Sequence, residues 1–157
     1  MFTESNTVQD FIADTLSQMG WKDVHPESLN RDVTQVLLGP NLRDALIRLN
    51  PEIEAKPDRA DEVFYKLNAI IQGVESDGVV KANEDFTSWL KGEKSMPFGE
   101  NNQHTTVRLI DYNNLENNEY IISKEVSYQS RETKRFDLVC YINGIPLIVG
   151  EMKTPVR

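Results

Sequence analysis

The chain has 157 residues, a formal net charge of -8, and 39% hydrophobic and 27% charged residues, the make-up of one globular domain with a real core. No apolar run is long enough to span a bilayer, the opening MFTESNTVQDF lacks the basic start and apolar centre of a signal peptide, and no GxxxxGK(S/T) phosphate loop is present. The single cysteine, Cys140, excludes an internal disulfide and fits a reducing, cytoplasmic setting. The acid excess weighs against a dedicated nucleic-acid surface, which is ordinarily basic.

The first helix is expected from about Thr7 to Met19, with Val8, Phe11, Ile12, Thr15, Leu16 and Met19 as its apolar face. Thr3 or Asn6 would cap it and Gly20 would stop it. Trp21 to Val24 reads as a short extended piece. Helices follow over Asn41 to Leu49, ended by Asn50-Pro51, over Asp58 to Gln72 with Val63, Leu67, Ile70 and Ile71 inward, and over Ala82 to Leu90. Met96 to Gln103 is polar and turn-like. From there the period shifts towards two, which predicts strands over Thr105 to Tyr112, Tyr120 to Tyr128, Arg135 to Ile142 and Ile145 to Lys153. Asn143-Gly144 is a strong hairpin signal. Helices followed by a meander of strands predict an α+β fold with N-terminal helices packed on a mainly antiparallel sheet.

The chemistry-bearing constellation is Asp137 followed, after thirteen residues, by Glu151-Met152-Lys153. Two carboxylates on neighbouring strands, with the Met152 backbone carbonyl, are hard oxygen donors of the kind Mg²⁺ takes. Glu151 and Lys153 share a strand face, so the ammonium can reach an attacking water or a phosphate. Glu151 ends Ile145–Gly150, which reads as a buried strand where an unpaired acid is costly, and Gly150 leaves room for close approach. Asp137, Glu151 and Lys153 read equally well as surface ion pairs on a solvated strand end. Arg131, Lys134 and Arg135 could touch phosphates or simply line a solvated loop. Glu4 and Gln9 on the first helix, His25, His104, Trp21 and Trp89 read more simply as surface or packing residues.

Parity constrains the site. A plain two-residue Asn143-Gly144 turn pairs Asp137 with Gly150 and puts Glu151 on the opposite face. A three-residue loop ending in a left-handed Gly144 sets Asp137 opposite Val149. Glu151 then becomes its diagonal neighbour, roughly 7–8 Å away between backbone positions. A shared metal site therefore requires a one-residue bulge near Gly144, or an equivalent irregularity before Asp137.

The stretches Leu42–Leu46 with Leu49-Asn50-Pro51, Val107–Tyr112 with Asn117-Asn118, Arg135–Val139, Asn143–Leu147 and Glu151–Pro155 resemble the N-terminal nuclease region of the restriction (R) subunit of type I restriction-modification enzymes. The resemblance covers most of the chain and is most specific in the C-terminal quarter. It implies the restriction-endonuclease-like PD-(D/E)xK fold and Mg²⁺-dependent endonuclease cleavage of double-stranded DNA. Asp137, Glu151 and Lys153 would be catalytic, and Asp137, Glu151 and the Met152 carbonyl would be metal ligands. Phe136 stands where the motif's name has proline, a position that supplies no ligand. The family fold continues past its Glu-x-Lys strand, so residues 1–157 are expected to be a truncated N-terminal part of a nuclease domain. The ATP-driven motor would lie in the rest of the parent, and modification and specificity subunits would be partners. The other readings are a non-catalytic docking domain and a free-standing PD-(D/E)xK repair nuclease.

Overall fold

The apolar runs flanking Asn143-Gly144 form two neighbouring strands of a four-stranded sheet, the first interior and the second at the end of the strand order. A computed structural model describes residues 4–153, with side chains from Thr7 onward. In chain order the elements are α1 (Glu4–Gln18), β1 (Lys22–Asp23), α2 (Gly39–Leu49), α3 (Pro51–Glu54), α4 (Arg59–Gln72), α5 (Val74–Asp77), α6 (Val79–Leu90), β2 (Ser95–Met96), β3 (Thr105–Thr106), β4 (Tyr120–Gln129), β5 (Thr133–Ile142) and β6 (Ile145–Gly150). Two units result, one from the residues up to Asn41 together with those from Glu119 onward, the other from Leu42–Asn118. Among the described residues no helix is long and apolar enough to cross a membrane.

The first unit holds the sheet, in the order β1-β4-β5-β6. β4, β5 and β6 are antiparallel, as expected, while β1 adds a short parallel pairing of Lys22 and Asp23 with Ile121 and Ile122. α1 covers one face, where Ile12, Ala13 and Leu16 pack on Ile122, Leu138 and Cys140 beside Trp21 and Met152. The other face is closed by Val24, Leu29 and Leu38 over Ile121, Val126, Val139 and Tyr141. On that face Arg31 sits 4.0 Å over the Tyr128 ring and donates to the carbonyls of Asp32, Gln35 and Ser127. The Tyr128 and Tyr141 hydroxyls bond each other, and burial pushes both phenols upward. The Arg31 Nε is buried without a partner, a local cost of about 1–3 kcal/mol that the guanidinium's other contacts offset.

Two expectations need correcting here. α1 carries two apolar stripes, and the sheet takes Gln9, Ile12, Ala13 and Leu16, because small Ala13 permits close approach. Val8, Phe11 and Met19 face outward, Phe11 and Met19 with 70% and 72% of their surface exposed. Asn6 lies inside the helix, Thr3 falls outside the described residues, and Gly20 stops the helix at φ +95°.

In the second unit the expected strand over Thr105 to Tyr112 shrinks to Thr105–Thr106, paired with Ser95–Met96. The Asn50 side chain takes the place of a neighbouring strand. Its amide accepts from the Arg108 N–H at 2.7 Å and donates to the Arg108 carbonyl at 2.9 Å. Val107, Leu109 and Ile110 are therefore buried without a ladder. Asp111 then turns the chain by accepting the N–H groups of Asn113 and Asn114. Hydrogen bonds from the Asn114 backbone and the Asn117 side chain hold its carboxyl below the usual range. The expected helices are present, with α4 burying Val63 and Leu67 and leaving Ile70 and Ile71 half-buried.

The Asn143-Gly144 turn has φ +52° and +78°, the paired left-handed conformations of a type I′ hairpin. The Asn143 Oδ1 also accepts the Glu119 N–H at 2.8 Å. Asn143→Ala leaves that buried N–H unpaired and forces alanine into a left-handed conformation. The expected destabilisation is about 2–4 kcal/mol, read by urea unfolding.

Candidate functional site

Below the turn the β5–β6 ladder runs Ile142 to Ile145 and Tyr141 to Pro146, then skips to Cys140 with Ile148, Val139 with Val149 and Leu138 with Gly150. Leu147 is the extra residue. The loop is thus the two-residue turn, not the three-residue loop, and the irregularity that parity demands lies on β6, three residues past Gly144. The ladder ends at Leu138 with Gly150, one step short of Asp137 and Glu151. The bulge stands in a place the sequence did not single out.

The ladder ends at Gly150, and a side chain takes over from backbone pairing. The Asp137 Oδ2 accepts the Met152 N–H at 2.7 Å, so the half-buried carboxylate lies against the peptide between Glu151 and Lys153. Met152 turns its side chain into the α1-side core, while Glu151 and Lys153 on either side of it are exposed. No ion pair joins Asp137, Glu151 and Lys153 among the described residues, as the surface-pair reading would have required. Nor is any group of three or more His, Cys, Asp or Glu among the described residues arranged to hold a metal ion.

β6 is not the buried strand its composition suggests. It is an edge strand among the described residues, and Leu147, Ile148 and Val149 are exposed. A Cβ at Gly150 would meet Leu138 and Met152 only at ordinary contact distance, so packing does not require the glycine.

A second irregularity sits beside the first. On β4, Ile121 and Val126 face the same core, and on β5 so do Phe136 and Val139, although strict alternation would separate each pair. Both strands change face at one level, where Glu125 stands across from Asp137 between the pairs Lys124–Leu138 and Val126–Phe136. Glu125 absorbs the change at φ +56°, an uncommon conformation for a residue with a side chain. Sequence reasoning missed Glu125, although the signal exists: the apolar period breaks between Ser123 and Val126 and again between Phe136 and Val139.

Glu125 also borders a cleft of about 500 Å³ with Gln9, Asp10, Asp23, Val24, His25, Pro26 and Lys124. The Lys124 ammonium lies 3.0 Å from Asp10 and 3.6 Å from Asp23. Those carboxylates, Asp10 foremost, hold its pKa above the usual value. Gln9 is buried against this cleft, and the Glu4 side chain lies outside the described residues. Arg131, Lys134 and Arg135 are exposed around the β4–β5 hairpin end. His25 and His104 make only local bonds, to the Glu27 N–H and the Ser95 hydroxyl.

The structure defines a class of protein first, an α+β domain whose strand acid is fastened to the backbone of a Glu-x-Lys segment. Comparison then places it. The model of the type I restriction enzyme R protein N terminus matches residues 1–157, and the chain belongs to that family. It is 28% identical over 166 residues to the type I restriction enzyme HindI endonuclease subunit of Haemophilus influenzae, covering 97% of this chain and 15% of that protein. It is 26% identical over 162 residues to a Methanocaldococcus jannaschii protein provisionally named type I restriction enzyme MjaIXP endonuclease subunit, covering 97% of this chain and 15% of that one. The chain thus spans about 15% of the length of these curated relatives.

The bond between Asp137 and Met152 is open to direct measurement. Asp137→Ala removes a charge-assisted hydrogen bond, so the Met152 amide is expected to exchange about ten- to a hundredfold faster. Deleting Leu147 shifts the register by one and should produce the same acceleration, read by NMR hydrogen exchange.

Proposed function

We propose that this chain is the endonuclease module of a type I restriction R subunit, built on a PD-(D/E)xK fold and hydrolysing double-stranded DNA with Mg²⁺. The observation that carries the reading is the Asp137 carboxylate bonded to the Met152 N–H at 2.7 Å, between Glu151 and Lys153. The donor set fits the ion. Asp137 and Glu151 offer carboxylate oxygens and Met152 a backbone carbonyl, all hard ligands, and Mg²⁺ ordinarily keeps several waters beside one or two carboxylates. That preference accommodates the absence of a third converging acid among the described residues.

When bound, Mg²⁺ would neutralise charge on the phosphate and lower the pKa of a bound water. The chain's own groups do the rest. Asp137 on β5 and Glu151 just past β6 would hold the cation, and the Met152 amide fixes the Asp137 rotamer. Lys153 is placed to orient the attacking water or steady the phosphate as negative charge develops. Arg131, Lys134 and Arg135 would contact the DNA backbone. With a net charge of -8, most DNA affinity must come from elsewhere in the assembly. The greater length of the relatives suits an ATP-driven motor and docking to modification and specificity subunits, in a cytoplasmic complex. A non-catalytic docking domain is the second reading, favoured by the exposed apolar residues of α1 and β6.

Calorimetry with Mn²⁺ separates the two. Specific binding that disappears in Asp137→Ala is expected, and no binding by the unaltered chain would favour docking. In the whole enzyme, Asp137→Ala, Glu151→Ala and Lys153→Ala should each cut DNA cleavage by about a hundredfold or more while ATP hydrolysis persists. Loss of ATPase in all three folded variants would refute this division of labour. The chain alone is expected to nick DNA poorly at physiological salt, as a plasmid assay would read.

A further inference from the structure

The three cations of the β4–β5 hairpin are not equivalent. Among the described residues β6 pairs with β5 only as far as Leu138, and β1 pairs with β4 only at Ile121 and Ile122. Beyond the Glu125–Asp137 level, β4 and β5 therefore run on as a two-stranded ribbon, Val126–Gln129 against Thr133–Phe136. One face of the ribbon carries Val126, Tyr128 and Phe136 into the core beneath Arg31. Lys134 pairs across from Tyr128 and so belongs to that side, whereas Arg135 pairs across from Ser127 on the other side. Arg135 is tied to the level of Asp137. Its Nη1 lies 3.9 Å from the carboxylate of Glu125, the residue opposite Asp137.

We propose that Arg135 is the phosphate-binding residue that seats the DNA backbone beside Asp137, and that Glu125 is its internal stand-in for the phosphate, holding the guanidinium at the site until DNA displaces it. The inference rests on the nuclease reading above. The guanidinium is suited to the exchange, since its fixed fork of donors fits phosphate as well as carboxylate. The Arg135–Glu125 contact is long, and its side chains are 61% and 48% exposed. Such pairs rarely amount to more than a few-fold in any equilibrium, so a phosphate displaces the carboxylate readily. The positive φ of Glu125 gives the arrangement its geometry, because it is the turn of the backbone that sets this acid at the base of the ribbon.

The test is a double-mutant cycle on the full chain. Binding of a short DNA duplex is measured by fluorescence anisotropy in EDTA over a range of salt. Glu125→Gln should tighten binding about two- to fivefold. Arg135→Ala should weaken it and lower the salt slope by about one, and Arg135→Lys should recover part of the loss. In the Arg135→Ala background, Glu125→Gln should have no effect. An equal gain in both backgrounds would make Glu125 a general repulsive charge and overturn the proposal. So would an Arg135→Ala variant with unchanged affinity and slope, or no duplex binding by the unaltered chain at low salt. A chain whose DNA binding follows the cycle but which shows no Asp137-dependent Mn²⁺ binding would overturn the nuclease reading and leave the ribbon's role standing.

Discussion

A β-strand shows alternate residues to alternate sides, and the candidate site depends on that rule being broken by one residue. With a two-residue turn at Asn143-Gly144, every position on β6 is assigned a face by counting, and the count puts Glu151 on the wrong side of the sheet from Asp137. Leu147 adds one to the count. Everything below it follows: Gly150 meets Leu138, the ladder ends, and the Met152 amide comes within hydrogen-bond reach of the Asp137 carboxylate. The matching change of face at the Glu125 and Asp137 level keeps Val126 and Phe136 on the same core as Ile121 and Val139. Two one-residue irregularities, on strands flanking β5, bracket the acid on which the nuclease reading turns.

Rigid surroundings make such small offsets meaningful. β5 is an interior strand packed on both faces, with Leu138 and Cys140 against α1 and Val139 and Tyr141 against the opposite layer. The Tyr141 hydroxyl bond to Tyr128 beneath Arg31 and the Asn143–Glu119 bond secure its end at the turn. An acid carried on a strand held this firmly has little freedom to shift, which is the condition for a positioned site.

What could be read in the sequence was whatever depends on local chemistry. Asn143-Gly144 announces its turn because few other pairs tolerate two left-handed residues. Asp137 and Glu-x-Lys were legible by residue type, and their requirement for an irregular strand was legible by counting. Its place was not, because Leu147 looks like any other member of an apolar run. The face of α1 was ambiguous because two stripes compete, and Ala13, the residue that decides, is small and easily overlooked. Thr105 to Tyr112 was misread because past Thr106 no strand continues the pairing, and at Arg108 the partner is the amide of Asn50, 58 residues away.

The bulge at Leu147 also bears on how this surface behaves among other polypeptides. Among the described residues β6 presents an apolar, uncharged border in Leu147, Ile148 and Val149, the kind of rim on which a further strand can pair. Pro146 removes one donor from that rim, and the extra residue beside it throws the remaining donors and acceptors out of even spacing. A straight intruding strand can match the rim on one side of the kink but not on both. The irregularity beside the turn thus also shapes the border, favouring a segment that matches its offset.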